Sequence, residues 1–254
     1  MPTPPTRRRA APRPPLALAC LALAALACAG PAPTPTAPQL SRVVLAPLNL
    51  GVRTPDPLVG CEGPVWDELV RYLQAQDAHV RVLDGEGAAE LWQQAVSEAE
   101  ASGAVLDPRG VGARFAVHVR EQVDYDVLVM PSLVLRSARI GGQRASWDGT
   151  RRKLPIRARV PADLADGIGD GGGYRGTVAA ASLYVALVGP DGRALFEGLA
   201  GLDLVQQLVR GRRGLGPTPW QLEARADPFD DPEALRSGVE RAFARPLPAT
   251  ARTW

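Results

Sequence analysis

The chain alternates between apolar runs and breaks rich in glycine, proline and charge, and the period of each apolar run predicts its element. Arg42-Val43-Val44-Leu45-Ala46-Pro47-Leu48-Asn49-Leu50 is almost continuously apolar and closes on Asn and Gly51, the pattern of a strand buried on both faces. Pro64 suits a first helical turn, and Val65, Trp66, Leu69, Val70 and Leu73 follow at helical spacing. Ala78 to Leu83 alternates, with Val80 and Val82 on one face and His79 and Arg81 on the other, which predicts a half-buried strand. The chain therefore opens β-α-β. A helix is predicted over 87–101, where Leu91, Trp92, Ala95, Val96 and Ala99 form the apolar face and Ser102-Gly103 ends it. Another is predicted over 112–122, with Phe115 and Val119 one turn apart. The strongest strand signal is 126–135, and strands over 177–188 and 194–204 flank the turn Gly189-Pro190-Asp191-Gly192 as a hairpin. Finally, Asp231 caps a helix, Pro232 fits its first turn, and Leu235, Val239 and Phe243 share one stripe before Pro246. These elements predict an α/β fold of two or three layers: a mixed β-sheet packed by helices, with an antiparallel meander and a C-terminal helix.

A different apolar run precedes this domain. Arg7, Arg8, Arg9 and Arg13 lead into Leu16 to Ala27, which stops at Cys28. About a dozen apolar residues suffice for a signal segment but fall short of the ~20 that a membrane-spanning helix needs. Ala24-Ala25-Leu26-Ala27-Cys28 resembles a bacterial lipobox, in which the cysteine thiol becomes the lipid thioether; here Ala25 stands where leucine is more usual. Secretory cleavage after Ala25-Leu26-Ala27, with Cys28 unmodified, is the alternative, and Cys20 lies in a similar Ala-Leu-Ala-Cys context. Residues 28–40 follow as a proline-rich tether, since the alternating prolines remove donors and hold the backbone extended at roughly 3 Å per residue. The expected organisation is a signal peptide over 1–27, lipidated Cys28 with its tether over 28–40, and one domain over 41–254 with an insertion at about 136–176.

Charge and cysteine count narrow the function. Removing 1–27 takes away four of the 29 basic residues and none of the 27 acidic ones, so the mature chain carries 25 against 27 and no footprint for nucleic acid. Arg210, Arg212 and Arg213 read as a solvated loop. Once Cys28 is acylated only Cys61 remains, which leaves no intramolecular disulfide; an unlipidated Cys28 would make a bridge to Cys61 conceivable. Cys61 precedes a helix, a place that can activate a thiol, but nothing catalytic lies near it and an inert cysteine is expected. His79 and His118 are the only histidines, belong to different elements and are expected at the surface. No metal-protease, serine-hydrolase, phosphate-loop or paired-cysteine motif occurs. No cofactor is expected.

The opening Val44-Leu45-Ala46-Pro47-Leu48, the step from Asp124 to Met130, and Gly189 to Gly198 with Phe196 after its turn together resemble envelope lipoproteins of the CsgG-like or TolB-N-terminal-like fold. The resemblance spans about 42–244 and rests on strand and turn chemistry. It implies non-catalytic work in the envelope: activating a peptidoglycan synthase, anchoring an assembly, or forming a secretion-channel subunit. The channel role requires membrane-crossing hairpins with a lipid-facing apolar row. The density of arginine in 136–159 argues against it.

Two groups in the insertion invite ligands. Asp163, Asp166 and Asp170 stand in a glycine-rich loop and are weak candidates for a hard cation; their spacing fits no calcium-loop pattern. Trp147 beside Arg144, Arg151 and Arg152 is the candidate partner surface, because tryptophan and arginine favour interface centres. The insertion is expected to project and supply recognition. The leading expectation is a lipid-anchored, periplasm-facing binding or assembly protein with an envelope protein as partner; the alternative is a carboxylate-dependent envelope hydrolase. Ala29 is not the aspartate associated with inner-membrane retention, so the lipoprotein resemblance implies the outer membrane. Membrane fractionation should place the wild type in the outer membrane and Cys28→Ala in the soluble or unprocessed fraction; identical distribution and mass would defeat lipid attachment.

Overall fold

A computed structural model describes residues 41–103, 107–157, 176–210 and 220–247. β1 (Arg42–Leu45), α1 (Glu62–Gln74) and β2 (His79–Val82) form the expected opening unit, with β1 and β2 parallel and Val43 opposite Val80. α2 (Gly85–Ala101) and α3 (Pro108–Gln122) then lead to β3 (Val127–Gly141), which runs parallel to β1 on its other side, Val43 opposite Val127. β4 (Arg144–Trp147) and β5 (Thr150–Lys153) form a hairpin. β7 (Gly176–Val188) pairs antiparallel with β3 from Leu128↔Val188 to Ile140↔Gly176, and β8 (Ala194–Leu204) pairs with β7. β6 (Ile156–Arg157), β9 (Gln206–Arg210) and β10 (Trp220–Ala224) make a three-stranded sheet, and α4 (Pro232–Ala244) follows. The result is an α/β fold with a mixed seven-stranded sheet and four helices among the described residues.

Burial assigns the layers. Val43, Leu45, Val127, Val129, Leu183 and Val185 pack with Val65, Leu69 and Leu73 of α1 and Leu235, Val239 and Phe243 of α4. Val44 and Leu128, on the opposite face, pack with Leu91 and Ala95 of α2 and Phe115 and Val119 of α3. The parallel part is thus sandwiched between helix pairs, and β1 is apolar at consecutive positions because both faces are covered. Helix starts follow local chemistry. The Asp84 carboxylate accepts from Gly87 N at 2.7 Å, and Asp231 accepts from Ala234 N at 2.9 Å. α3 begins a turn before the expected 112, because Asp107 caps it and Pro108 occupies its first turn. Gly110 and Gly112 hide that start from periodicity.

α4 lies unusually close to β8. A Cβ on Gly198 would collide with the Ala242 carbonyl, and one on Gly238 would stand 2.7 Å from Leu202 Cδ2 and 3.1 Å from the Gly201 carbonyl. The chain beyond the helix stays on the strand: Gly198 bridges Pro246, and Leu247 N donates to the Glu197 carbonyl at 2.7 Å.

Four expectations change. β2 is a largely exposed edge strand with Val82 46% exposed, so its alternation does not mark a covered face. His118 is buried, its Nε2 3.0 Å from a Glu98 carboxylate oxygen, because α2 packs over that side of α3. The strand expected to end at 135 continues to Gly141, since β7 pairs with its arginine-bearing half. Residues 136–157 of the expected insertion consequently form packed sheet: Ala138, Ile140, Ala145, Trp147 and Leu154 build a third core with Val178, Ala180, Leu204 and Leu208.

Phe243 is 2% exposed, and its ring stacks on Tyr72 of α1 at 4.7 Å between centroids, joining the two helices of one face. Phe243→Ala should destabilise the domain by about 3–5 kcal/mol in urea melts. Unchanged stability would make α4 peripheral.

Candidate functional site

β1 connects through α1 to β2 on one side, while β3 lies on its other side, so the sheet order changes direction between β1 and β3. In open α/β sheets the carboxyl ends of strands at such a switch leave a crevice. Here the chain leaving β1 is held across that opening by Asn49, a buried residue in the left-handed region at φ 59°. Asn49 N donates to the Pro131 carbonyl at 3.1 Å, and its Oδ1 accepts from Leu133 N at 2.7 Å. The side chain thereby continues the pairing that β1 has abandoned. It also explains a proline in a central strand: the Pro131 carbonyl points toward β1, so the missing N–H falls on the edge where β1 has already left.

The loop then brings Gly51 against the Trp92 ring, so closely that a Cβ at 51 would overlap it. Trp92 stands edge-on to Phe115 at 5.6 Å. The opposite rim is the β7–β8 turn, where Gly192 at φ 77° sits with its Cβ direction 2.8 Å from the Ala113 carbonyl of α3. Only glycine satisfies both conditions. Between these rims lies a cleft of about 310 Å3. Met130, Ser132 and Val134 of β3 and Tyr184, Ala186 and Val188 of β7 form its floor, with Trp92, Gly112 and Ala113 on the helical side. The register sets Met130 beside Ala186 and Ser132 beside Tyr184.

The cleft's polar groups gather around β8. Glu197, with a side chain only 12% exposed, receives Arg109 from the first turn of α3 in a fork: Nε to Oε1 at 2.7 Å and Nη2 to Oε2 at 2.8 Å. Burial, then the negative charge of Glu197, pushes the Tyr184 phenol above its usual range; Arg109 opposes this, and a hydrogen bond with Glu197 adds to it. Tyr184 is therefore a neutral phenol at physiological pH. A wall of apolar and aromatic surface with oriented polar groups at one end can grip a ligand's apolar body and fix its polar end.

The residues singled out from sequence lie elsewhere. In the β4–β5 hairpin Ala145 pairs with Arg152 and Ser146 with Arg151, so alternation puts Trp147 and Arg152 on the inner face and Arg144 and Arg151 on the exposed one. Trp147 Nε1 donates to the Ala181 carbonyl at 3.2 Å, and its ring covers Gly201. The expected partner surface is thereby divided: its aromatic centre is a core residue, held inward by a hydrogen bond and a third hydrophobic cluster. The turn between the strands places Asp148 and Gly149 both at positive φ. Cys28, Asp163, Asp166, Asp170, Arg212 and Arg213 lie outside the described residues. Among the described residues no group of three His, Cys, Asp or Glu side chains is placed to hold a metal ion. His79 is exposed. Cys61 is the residue before α1, and burial, followed by the charges of Glu62 and Asp227, pushes its thiol up, the direction of an unreactive cysteine.

Arg109, Tyr184 and Glu197 escaped the sequence reading. The available signal was a charged residue inside the apolar β8 run and a tyrosine inside the apolar β7 run. Their partner on a distant helix had none. Arg109→Ala strands a nearly buried carboxylate and should cost about 1–3 kcal/mol in urea melts. Adding Glu197→Gln should recover part of that loss; a second loss of equal size would mean that the two side chains are energetically independent. No family model matches this chain, and no curated protein does.

Proposed function

We propose that this protein is a lipid-anchored, periplasm-facing binding or assembly module of the bacterial envelope, whose cleft receives an apolar group of an envelope partner. The anchor is Cys28, the spacer is the proline-rich segment to residue 40, and the outer membrane is the address that Ala29 suggests. The cleft between the loop after β1, strands β3 and β7, and α3 carries the binding reading. It combines a sheet-switch position with a floor of Met130, Val134, Ala186 and Val188 and a single polar end. The ion pair there is internally satisfied, so it serves orientation more naturally than proton transfer: Arg109 occupies both oxygens of Glu197. Apolar burial in such a cleft contributes about 25 cal/mol per Å2 removed from water, enough for one aliphatic or aromatic group to anchor a complex.

Filling the cleft tests this. Ala186 lies half-buried on its floor. Ala186→Phe should leave thermal melting within a few degrees of wild type while lowering stoichiometric recovery of a partner from detergent-solubilised envelopes by roughly tenfold. Undiminished recovery of the same partner would move recognition off the cleft. An envelope-wide absence of any stoichiometric partner for the wild type would remove the assembly reading.

A further inference from the structure

Several arginines in this domain meet carboxylates at close range. Arg109 takes Glu197, Arg136 takes Asp148 at 3.0 Å, and Arg225 takes both Asp203 at 2.7 Å and Asp230 at 2.8 Å. Where β5, β8 and the end of α4 meet, the acceptors are mostly neutral. Arg241 donates to the Ser237 hydroxyl, to Thr150 Oγ1 at 3.2 Å and to the Gly201 carbonyl at 3.4 Å, all neutral acceptors. Arg152 donates to the neighbouring Leu202 carbonyl at 3.1 Å, and its nearest carboxylate, the well-exposed Asp231, is 3.9 Å away. Arg245 extends over Gly149 in the β4–β5 turn, filling the space a side chain there would need, with its Cζ 2.8 Å from the Cβ direction. Among the described residues the Arg245 side chain has no ion pair or hydrogen bond.

Three guanidinium groups are thus convergent on one junction, where the carboxylates are Asp231, 3.9 Å from Arg152, and Glu240, whose charge acts on Arg241. The Nε–H groups of Arg152 and Arg241 are buried and meet no acceptor among the described residues. Burial, then the charge of Arg152, pulls the Arg241 pKa down; Glu240 opposes this and Arg245 adds to it. The junction is also built to hold its arginines in place: Thr150 Oγ1 donates to the Gly201 carbonyl at 2.9 Å, and that carbonyl and Thr150 both receive Arg241. A fixed cluster of three forked cations, only partly offset by Asp231 and Glu240, is complementary to a multiply charged tetrahedral oxyanion, which accepts along several edges at once.

We propose that Arg152, Arg241 and Arg245 form an anion-binding site for a phosphate group, separate from the apolar cleft and independent of its role. Those Nη protons of Arg152 and Arg241 not given to Leu202, Ser237, Thr150 and Gly201, together with the exposed guanidinium of Arg245, hold the phosphate oxygens, and the bound dianion relieves the repulsion among the three cations. A free phosphate and the phosphate of a lipid headgroup offer the same chemistry.

Phosphorus NMR titration of inorganic phosphate with the mature chain in neutral detergent, against chloride at equal ionic strength, tests the site. The wild type should broaden the phosphate resonance saturably. Arg245→Ala, which removes an exposed side chain, should weaken binding roughly tenfold, and Arg241→Gln at least as much. Arg144→Ala, on the opposite face of the hairpin, should match wild type. Should Arg241→Gln lower the melting temperature, Arg245→Ala carries the comparison. Repeating the titration with dihexanoyl phosphatidic acid below its micelle concentration separates the sources: tighter binding than inorganic phosphate assigns a lipid headgroup, and equal or weaker binding assigns free phosphate. No saturable broadening by the wild type, or equal broadening by wild type, Arg245→Ala and Arg241→Gln, overturns the proposal.

Discussion

β3 is the strand on which the two halves of the domain depend. Its first residues, Val127 to Val129, are covered on both faces and run parallel to β1, while its last, Arg139 to Gly141, pair antiparallel with β4 on that same edge. β7 follows the other edge along nearly its whole length. One strand therefore carries the registry of a parallel, helix-covered layer into an antiparallel extension. Neither half can slip by one residue without turning the core positions of the other outward. The change of neighbour on the β1 edge leaves a stretch of backbone without a strand partner. Asn49 and Pro131 resolve it, one by supplying a side-chain acceptor and the other by lacking the donor that would need one.

That gap is also what makes the cleft. Helices α2 and α3 cover the sheet where β1 is present, and the loop leaving β1 spans the floor beyond it. Trp92, the start of α3 and the β7–β8 turn close the sides. The small residues at these contacts, Gly51, Gly112 and Gly192, allow rim and floor to approach without filling the space. Arg109 comes from a helix start and Glu197 from a strand, so their pairing ties the start of α3 to the sheet and gives an otherwise apolar hollow one polar end.

A second set of close approaches organises the opposite face. Gly198 and Gly238 let α4 lie directly on β8, and Gly201 makes room for Trp147. With α4, β8 and the β4–β5 hairpin this near, Arg152 and Arg241 donate to strand carbonyls, a threonine and a serine. The same packing that buries Trp147 thus creates the concentration of positive charge at the junction.

Local chemistry made much of the fold legible from sequence. The doubly apolar β1, the Asp–Pro start of α4, the stripe of Leu235, Val239 and Phe243, and the glycine-bearing turns each act within a few residues, so their signals survive in the linear chain. The position of His118, the inward face of Trp147 and the length of β3 were not legible, because each depends on a partner far away: Glu98 on another helix, Ala181 and Gly201 on two other strands, and β7 covering the arginine-rich half of β3. The cleft and the arginine junction belong to the same class. Arg109 and Glu197 are 88 residues apart, and Arg152 and Arg241 meet only through neighbouring carbonyls of β8. Sequence by itself determined the alternation of elements and their caps, since propensity, capping and burial period are short-range. Tertiary structure alone decided which polar groups share a site, since hydrogen bonding and charge act across space between residues whose separation along the chain carries no trace of their contact.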